Sequence, residues 1–155
     1  MTVSCKIIGA MFCLLLFTAG STNAQQEQKD YLSALEADKI RDAETTNDRV
    51  KLFLTFADDR LKKFQYELEH PSGTRHIDML NSLLNGYGGC VDDAADLIQL
   101  GIEKQENIRA AIDLMASQSK SFLVVLEKLS AAGGPDLEAY KTNLDDAIES
   151  ARLVF

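Results

Sequence analysis

Residues 76–98 read HIDMLNSLLNGYGGCVDDAADLI, and this stretch decides the fold class. Its apolar residues recur at alternating intervals of three and four, which is the spacing of one face of an α-helix. The spacing continues through residues 85–89, although Asn-Gly pairs often end a helix. A loop would have no reason to preserve the phase, so we predict a single helix whose small residues permit close helix approach. A break at the glycines is the alternative.

The same spacing predicts four further helices. Pro71 and Pro135 are the only prolines, and each lies close to glycine, a combination that ends one helix and lets the next begin. Side-chain oxygens at residues 45–47 are candidate N-caps. The predicted bounds of the four helices are 30–43, 47–69, 103–131 and 135–154.

The faces of these helices predict the core and the architecture. Core positions are Leu32, Leu35, Ile40, Ala43, Val50, Phe53, Ala57, Leu61, Phe64, Leu68, Ile77, Leu80, Leu84, Tyr87, Val91, Ala94, Ile98, Ile108, Ile112, Met115, Ser119, Phe122, Leu126, Leu129, Leu137, Tyr140, Leu144, Ile148 and Ala151. The solvent face of the second helix carries Arg49, Asp59, Lys63 and Glu67. Short connections make successive helices antiparallel. We predict an all-α fold, an antiparallel up-down bundle of four main helices plus a short N-terminal helix, in one domain over residues 30–155.

The connection between the third and fourth helices has two interpretations. Gly101 followed by Ile102 is typical of a helix end, in which glycine adopts the left-handed conformation and the apolar residue packs back. Alternatively, the apolar spacing continues and residues 74–131 form one rod. Such a rod would be roughly 87 Å long and would need a dimer to bury its face.

The N-terminal region is typical of a secretory signal peptide. Lys6 precedes an apolar run over residues 7–19, and small or polar residues lead to a candidate cleavage site after Ala24. The run of about 13 residues is shorter than the roughly 20 that span a bilayer, so an uncleaved anchor is the less favoured alternative. We therefore expect export after removal of residues 1–24, and a disordered polar segment over 25–29.

Charge and cysteine content limit the partners. The chain has a net charge of −8, and all acidic residues follow Ala24. An acidic surface repels phosphate backbones and anionic membranes, so we expect no nucleic acid partner and no membrane association after cleavage. Cys5 and Cys13 would leave with the signal peptide. Cys90 then remains alone, either buried or available for a bond between two chains.

No residue pattern reaches the standard of a catalytic, cofactor or metal site, so we predict no enzyme and no cofactor. Glu67 and His70 form the Glu-x-x-His pair of di-iron bundles, but the second such pair is missing. Cys90 lies about 21 Å from His76 along a continuous helix, which is too far for a thiol and its base; a hairpin at residues 86–89 would let the two meet. The runs Asp58-Asp59, Asp92-Asp93 with Asp96, and Asp145-Asp146 lie within predicted helices, where a solvated acidic face is expected rather than a calcium loop.

Three segments carry a resemblance. The stretches YLSALEADKIRDA (31–43), GCVDDAADLI (89–98) and AAGGPDLEAYKTNLDDAIE (131–149) resemble uncharacterised, secreted helical proteins of bacteria. This resemblance implies no activity. We therefore expect an exported, non-enzymatic helical bundle of the cell envelope or secretome that binds a protein partner or itself. The alternative is a periplasmic bundle that binds a metal or small ligand through His70, Glu67 and nearby acids.

Overall fold

The computed structural model describes residues 31–152, which form five α-helices and no β-strand. The all-α fold is confirmed. The expected signal peptide (1–24) and polar segment (25–29) lie outside the described residues. The bounds are α1 Ala34–Asp42, α2 Thr46–Glu69, α3 His76–Glu103, α4 Arg109–Ala132 and α5 Leu137–Arg152, with a 3-10 turn over Gly73–Arg75.

Helices α2 to α5 alternate in direction and pack as an antiparallel bundle, as predicted. α2 packs along α3, and α5 lies against both α3 and α4. Asn47 in the first turn of α2 donates from Nδ2 to the Asn107 carbonyl oxygen (2.8 Å) and accepts at Oδ1 from the Ala111 amide (2.9 Å). Asn47 therefore caps the start of α4, while Thr45 caps α2 by accepting from the Asp48 amide.

Polar contacts fix the level of α5 along α3. Asn143 Nδ2 donates to Asn81 Oδ1 (2.6 Å), and Asn81 Nδ2 donates to the Ala139 carbonyl oxygen (3.1 Å). Near the end of α5, the Ser150 side chain lies close enough to the Asp92 carboxylate to act on its pKa. Because α5 has 16 residues and α3 has 28, α3 continues for about three turns beyond the end of α5.

The core agrees with most of the predicted helix faces. Phe64 of α2 is fully buried and meets the Tyr140 ring of α5 edge to face, with ring centroids 5.4 Å apart. Three predictions were wrong. Leu35 is 65% exposed because α1 lies on the outside of the bundle and buries none of its own residues, and Ile112 is 42% exposed. Glu67, expected in solvent, is buried by contacts with the loop that follows α2.

The glycine-rich stretch lies inside α3, so the predicted continuity is confirmed. The glycines accommodate side chains. A Cβ on Gly86 would lie 3.0 Å from Arg60 Nε, and one on Gly89 would lie 2.7 Å from the Tyr31 ring. The close approach is therefore that of one side chain from α2 and one from the segment before α1, which pack directly on the α3 backbone.

Both interpretations of the α3–α4 connection need correction. The two helices are separate, so the long rod does not form, yet α3 passes through Gly101 and ends at Glu103. The left-handed residue is Gln105 (φ 56°), and its amide donates to the Ile102 carbonyl oxygen (3.0 Å). Gly101 is required for packing instead, since a Cβ there would lie 2.7 Å from Ile108 Cγ2.

The starts of the two shorter helices also differ from the prediction. α1 begins at Ala34 because Ser33 and Glu36 form a capping box, in which Ser33 Oγ accepts from the Glu36 amide and the Glu36 carboxylate accepts from the Ser33 amide. α5 begins at Leu137, two residues after Pro135, because a turn closed by the Leu137 amide and the Gly134 carbonyl oxygen (3.3 Å) intervenes.

Two hydroxyl groups in the core have no hydrogen-bond partner among the described residues. Tyr87 on α3 and Ser119 on α4 are fully buried, and neither side-chain oxygen reaches a donor or acceptor there. The Tyr87 ring packs edge to face on Phe122, with centroids 5.5 Å apart, and burial raises the pKa of the Tyr87 phenol. An unpaired buried hydroxyl lowers the free energy of unfolding, because it has lost its hydrogen bonds to water.

Replacing Tyr87 with phenylalanine should therefore stabilise the protein by about 1 kcal/mol, because the ring contact with Phe122 stays and the unpaired hydroxyl is removed. Urea unfolding followed by circular dichroism measures the change. Tyr66→Phe is the matched control, since Tyr66 is 63% exposed and should show no change. A loss of stability on Tyr87→Phe would show that the hydroxyl has a bonding partner such as buried water.

Candidate functional site

The buried carboxylate of Glu67 binds the start of α3, not the neighbouring histidine of its own helix. Glu67 Oε1 accepts from the Ser72 amide (2.8 Å), the Ser72 hydroxyl (2.7 Å) and His76 Nδ1 (2.8 Å). These hydrogen bonds, that from His76 first, lower the pKa of Glu67 to about 2. His76 Nε2 lies 3.9 Å from the Asp136 carboxylate, so the imidazole links the α2–α3 and α4–α5 connections.

The Glu67–His70 pair suggested by the sequence does not form. His70 lies in solvent and stacks on the Tyr66 ring, with centroids 4.4 Å apart, while Glu67 turns toward His76. Within residues 31–152, no group of three or more His, Cys, Asp or Glu side chains is placed to hold a metal ion. The Ser72 hydroxyl donates to the Glu67 carboxylate and not to the His76 imidazole. These hydrogen bonds join the end of α2 to the start of α3.

Cys90 and the acidic runs, the other candidate site residues, lie in two different environments. Cys90 is fully buried on α3 close enough to Arg60 to interact with its charge, so the buried alternative applies. Asp58 pairs with Lys62, Asp59 with Lys63 and Asp145 with Lys141, each one helical turn apart. These three aspartates are therefore parts of solvated faces that are neutralised locally by lysine. The prediction of a solvated face is wrong for Asp93, which is buried and accepts a hydrogen bond from the Tyr31 hydroxyl.

Helix periodicity does not predict the polar cluster that holds the N-terminal segment. We call this cluster the N-terminal clasp and define it as Tyr31, Glu36, Arg60 and Asp93. Arg60 donates from Nη1 (2.9 Å) and Nη2 (3.0 Å) to the two carboxylate oxygens of Glu36, and from Nη2 to the Tyr31 carbonyl oxygen (2.8 Å). The Tyr31 hydroxyl donates to Asp93 on α3. The Ser-x-x-Glu capping box at residues 33–36 was the available signal, but it indicates only the local helix start.

The N-terminal clasp should make stability depend on acid. The hydrogen bond from Arg60 lowers the pKa of Glu36 from 4.5 to about 2. Because the pKa of Glu36 is lower in the folded state than in the unfolded state, its ionised form stabilises the protein above about pH 4.5, and this stabilisation is lost as the pH falls toward 2. The loss in the free energy of unfolding is at most about 3 kcal/mol. Urea unfolding across this range measures it. Glu36→Gln should reduce the dependence of the free energy of unfolding on pH, leaving the part due to Glu67. An unchanged pH dependence would contradict the role given to Glu36.

An open groove lies where α5 stops short of the bundle end. This α3–α4 groove encloses about 170 Å³ and is lined by Ala95, Ile98, Gln99, Ile112, Met115 and Ala116. Ile98, Ile112 and Met115 are predicted core positions, and Ile112 is exposed because the described part of α5, to Arg152, does not cover it. Ile102, one turn beyond Ile98 on the same face, is 53% exposed. The groove is therefore an apolar surface without a covering element among residues 31–152.

Acidic residues border this groove. Asp92 and Asp96 lie one turn apart on α3, and Asp113 follows Ile112 on α4, where it pairs with Arg109 at 3.8 Å. Desolvation raises the pKa of Asp92, and the negative charge of Asp96 adds to the shift. Within the described part of the chain, neither Asp92 nor Asp96 takes part in an ion pair of the kind that neutralises Asp58 and Asp59.

Comparison of the chain with known proteins identifies no family. No protein-family model matches the chain, and neither a curated protein nor a solved structure matches it. Among the helices over residues 31–152, none is long and apolar enough to cross a lipid bilayer.

Proposed function

We propose that the protein is exported and acts without catalysis, as a helical bundle that binds another protein through the α3–α4 groove. The observation that carries this proposal is the exposure of Ile112 in a groove that residues 31–152 leave open, together with the exposure of Ile102 one turn beyond Ile98. Apolar grooves between helices are a common docking place for a partner's side chains. The layout of residues 1–24 supports export, and the acidic surface is consistent with a protein partner.

A photo-cross-linking experiment tests the binding proposal. A photoreactive amino acid is placed at Ile112 and, as the matched control, at Val124, which is 53% exposed on the same helix. In the producing cells, the Ile112 position should form a discrete protein adduct that the Val124 position does not form. Equal adducts, or none, would contradict it. Mass spectrometry of the secreted chain should give Gln25 as its first residue; a chain that retains residues 1–24 would contradict export by cleavage.

A small-ligand bundle is the second candidate, and one observation favours it. The hydroxyls of Tyr87 and Ser119 are buried without partners, and Ser119 lies one turn from Met115, which lines the groove. A ligand with a polar head could hydrogen-bond to one of them. Native mass spectrometry of gently purified protein would reveal a bound small molecule, and metal analysis of the same sample tests the variant of this idea that uses His70 and Glu67.

A further inference from the structure

The α3–α4 groove continues the space between α3 and α4 in which α5 lies. α5 packs against both α3 and α4. The side chains that α5 buries there recur at helical spacing and are Tyr140, Leu144, Ala147, Ile148 and Ala151. Beyond Arg152, the last residue of α5 in the described range, α3 continues to Glu103, and among residues 31–152 the α3–α4 groove stays open there. The open part is about 16 Å long, which matches about three turns of a helix.

The charges around the groove select the sign of the partner. Asp58, Asp59 and Asp145 each pair with a lysine one turn away. Asp113, on the α4 side of the groove, lies 3.8 Å from Arg109. On α3, Asp92 is followed one turn later by Asp96, and Asp96 by Leu100, so the helix supplies no cation of its own there. A lysine or arginine brought by a partner would pair with these exposed carboxylates.

We propose that the α3–α4 groove binds an amphipathic helix of another protein that carries basic residues beside its apolar face. This inference rests on the proposed function and specifies its partner. The apolar face contacts Ile98, Ile112 and Met115, in line with the end of α5. The basic residues lie along Asp92 and Asp96 on one side of the groove. The helix therefore occupies the position that a longer α5 would fill.

Synthetic peptides provide the test. One probe is a three-turn amphipathic helix with leucine on one face and lysine elsewhere; the second is the same peptide with glutamate for every lysine. Fluorescence anisotropy with the full mature chain should show binding of the lysine peptide, weakening as salt is raised, and binding of the glutamate peptide at least about tenfold weaker. Equal affinity for the two peptides, or no binding of the lysine peptide, would overturn the proposal.

Variants locate the binding. Ile112→Asp should abolish binding of the lysine peptide, whereas Val124→Asp on the same helix should not change it. Both side chains are exposed, so circular dichroism should show both variants folded. Asp96→Lys should weaken the lysine peptide and strengthen the glutamate peptide. Retained binding in Ile112→Asp would place the peptide elsewhere and overturn the proposal.

Two further outcomes separate this inference from the function on which it rests. A protein adduct at Ile112 in cells, together with no preference for the lysine peptide, would leave the binding function in place and exclude the basic helix. Self-association that Ile112→Asp abolishes, without binding of the lysine peptide, would identify a second copy of this chain as the occupant and would equally overturn the proposal.

Discussion

Phe64→Ala should lower the free energy of unfolding by about 3–5 kcal/mol, because the whole ring is removed from a fully buried position. The loss includes the edge-to-face contact with Tyr140, which connects the last third of α2 with the first turn of α5. Urea unfolding followed by circular dichroism measures the change. Tyr66→Ala, two residues further along α2 and exposed, should change stability little.

A loss below about 1 kcal/mol for Phe64→Ala would mean that α2 and α5 do not share a core at this point. Phe64→Leu refines the test, because it keeps most of the buried apolar volume and should recover more than half of the loss. If both variants were equally unstable, the aromatic contact would contribute more than the buried volume does.

Arg60→Ala should cost about 3 kcal/mol, because it leaves the nearly buried Glu36 carboxylate and the Tyr31 carbonyl oxygen without their donor. The damage should be local. α1 buries none of its own residues and depends on the N-terminal clasp, so limited proteolysis should now cut within residues 31–45. Lys62→Ala, whose ion pair with Asp58 is exposed, is the control and should change neither readout.

A double variant separates the loss of the pair from the loss of packing. Arg60→Met combined with Glu36→Met replaces the ion pair with apolar side chains of similar size, and should be more stable than Arg60→Ala alone. If the double variant were as unstable as Arg60→Ala, the guanidinium contacts to the Tyr31 and Phe56 carbonyl oxygens would be the larger contribution.

The sequence was sufficient for the helices because their spacing is a local property. Phe64 and Leu84 follow from periodicity alone, and the phase through Gly86 and Gly89 identified a continuous α3. What fills the space above those glycines could not be predicted, since Arg60 and Tyr31 arrive from distant parts of the chain. Periodicity relates residues on one helix and carries no information about which side chain packs across it.

Periodicity also fails to predict which polar residues are buried. Glu67 was placed in solvent because its face of α2 is charged, yet the turn at residues 70–75 brings Ser72 and His76 to it. The α3–α4 groove was missed because every apolar residue on a predicted face was assigned to the core. The difference in length between α5 and α3 was the available signal, and it leaves Ile112 uncovered.

Because Cys90 is buried, its reactivity can be used to measure local opening of the fold. The thiol is fully buried on α3 and close enough to Arg60 to feel its charge, and it would be the only cysteine after cleavage at Ala24. An alkylating reagent can reach it only when the packing around this part of α3 opens. The rate of alkylation of the mature, unlabelled chain therefore reports this opening, and reducing agents should leave the fold unaffected.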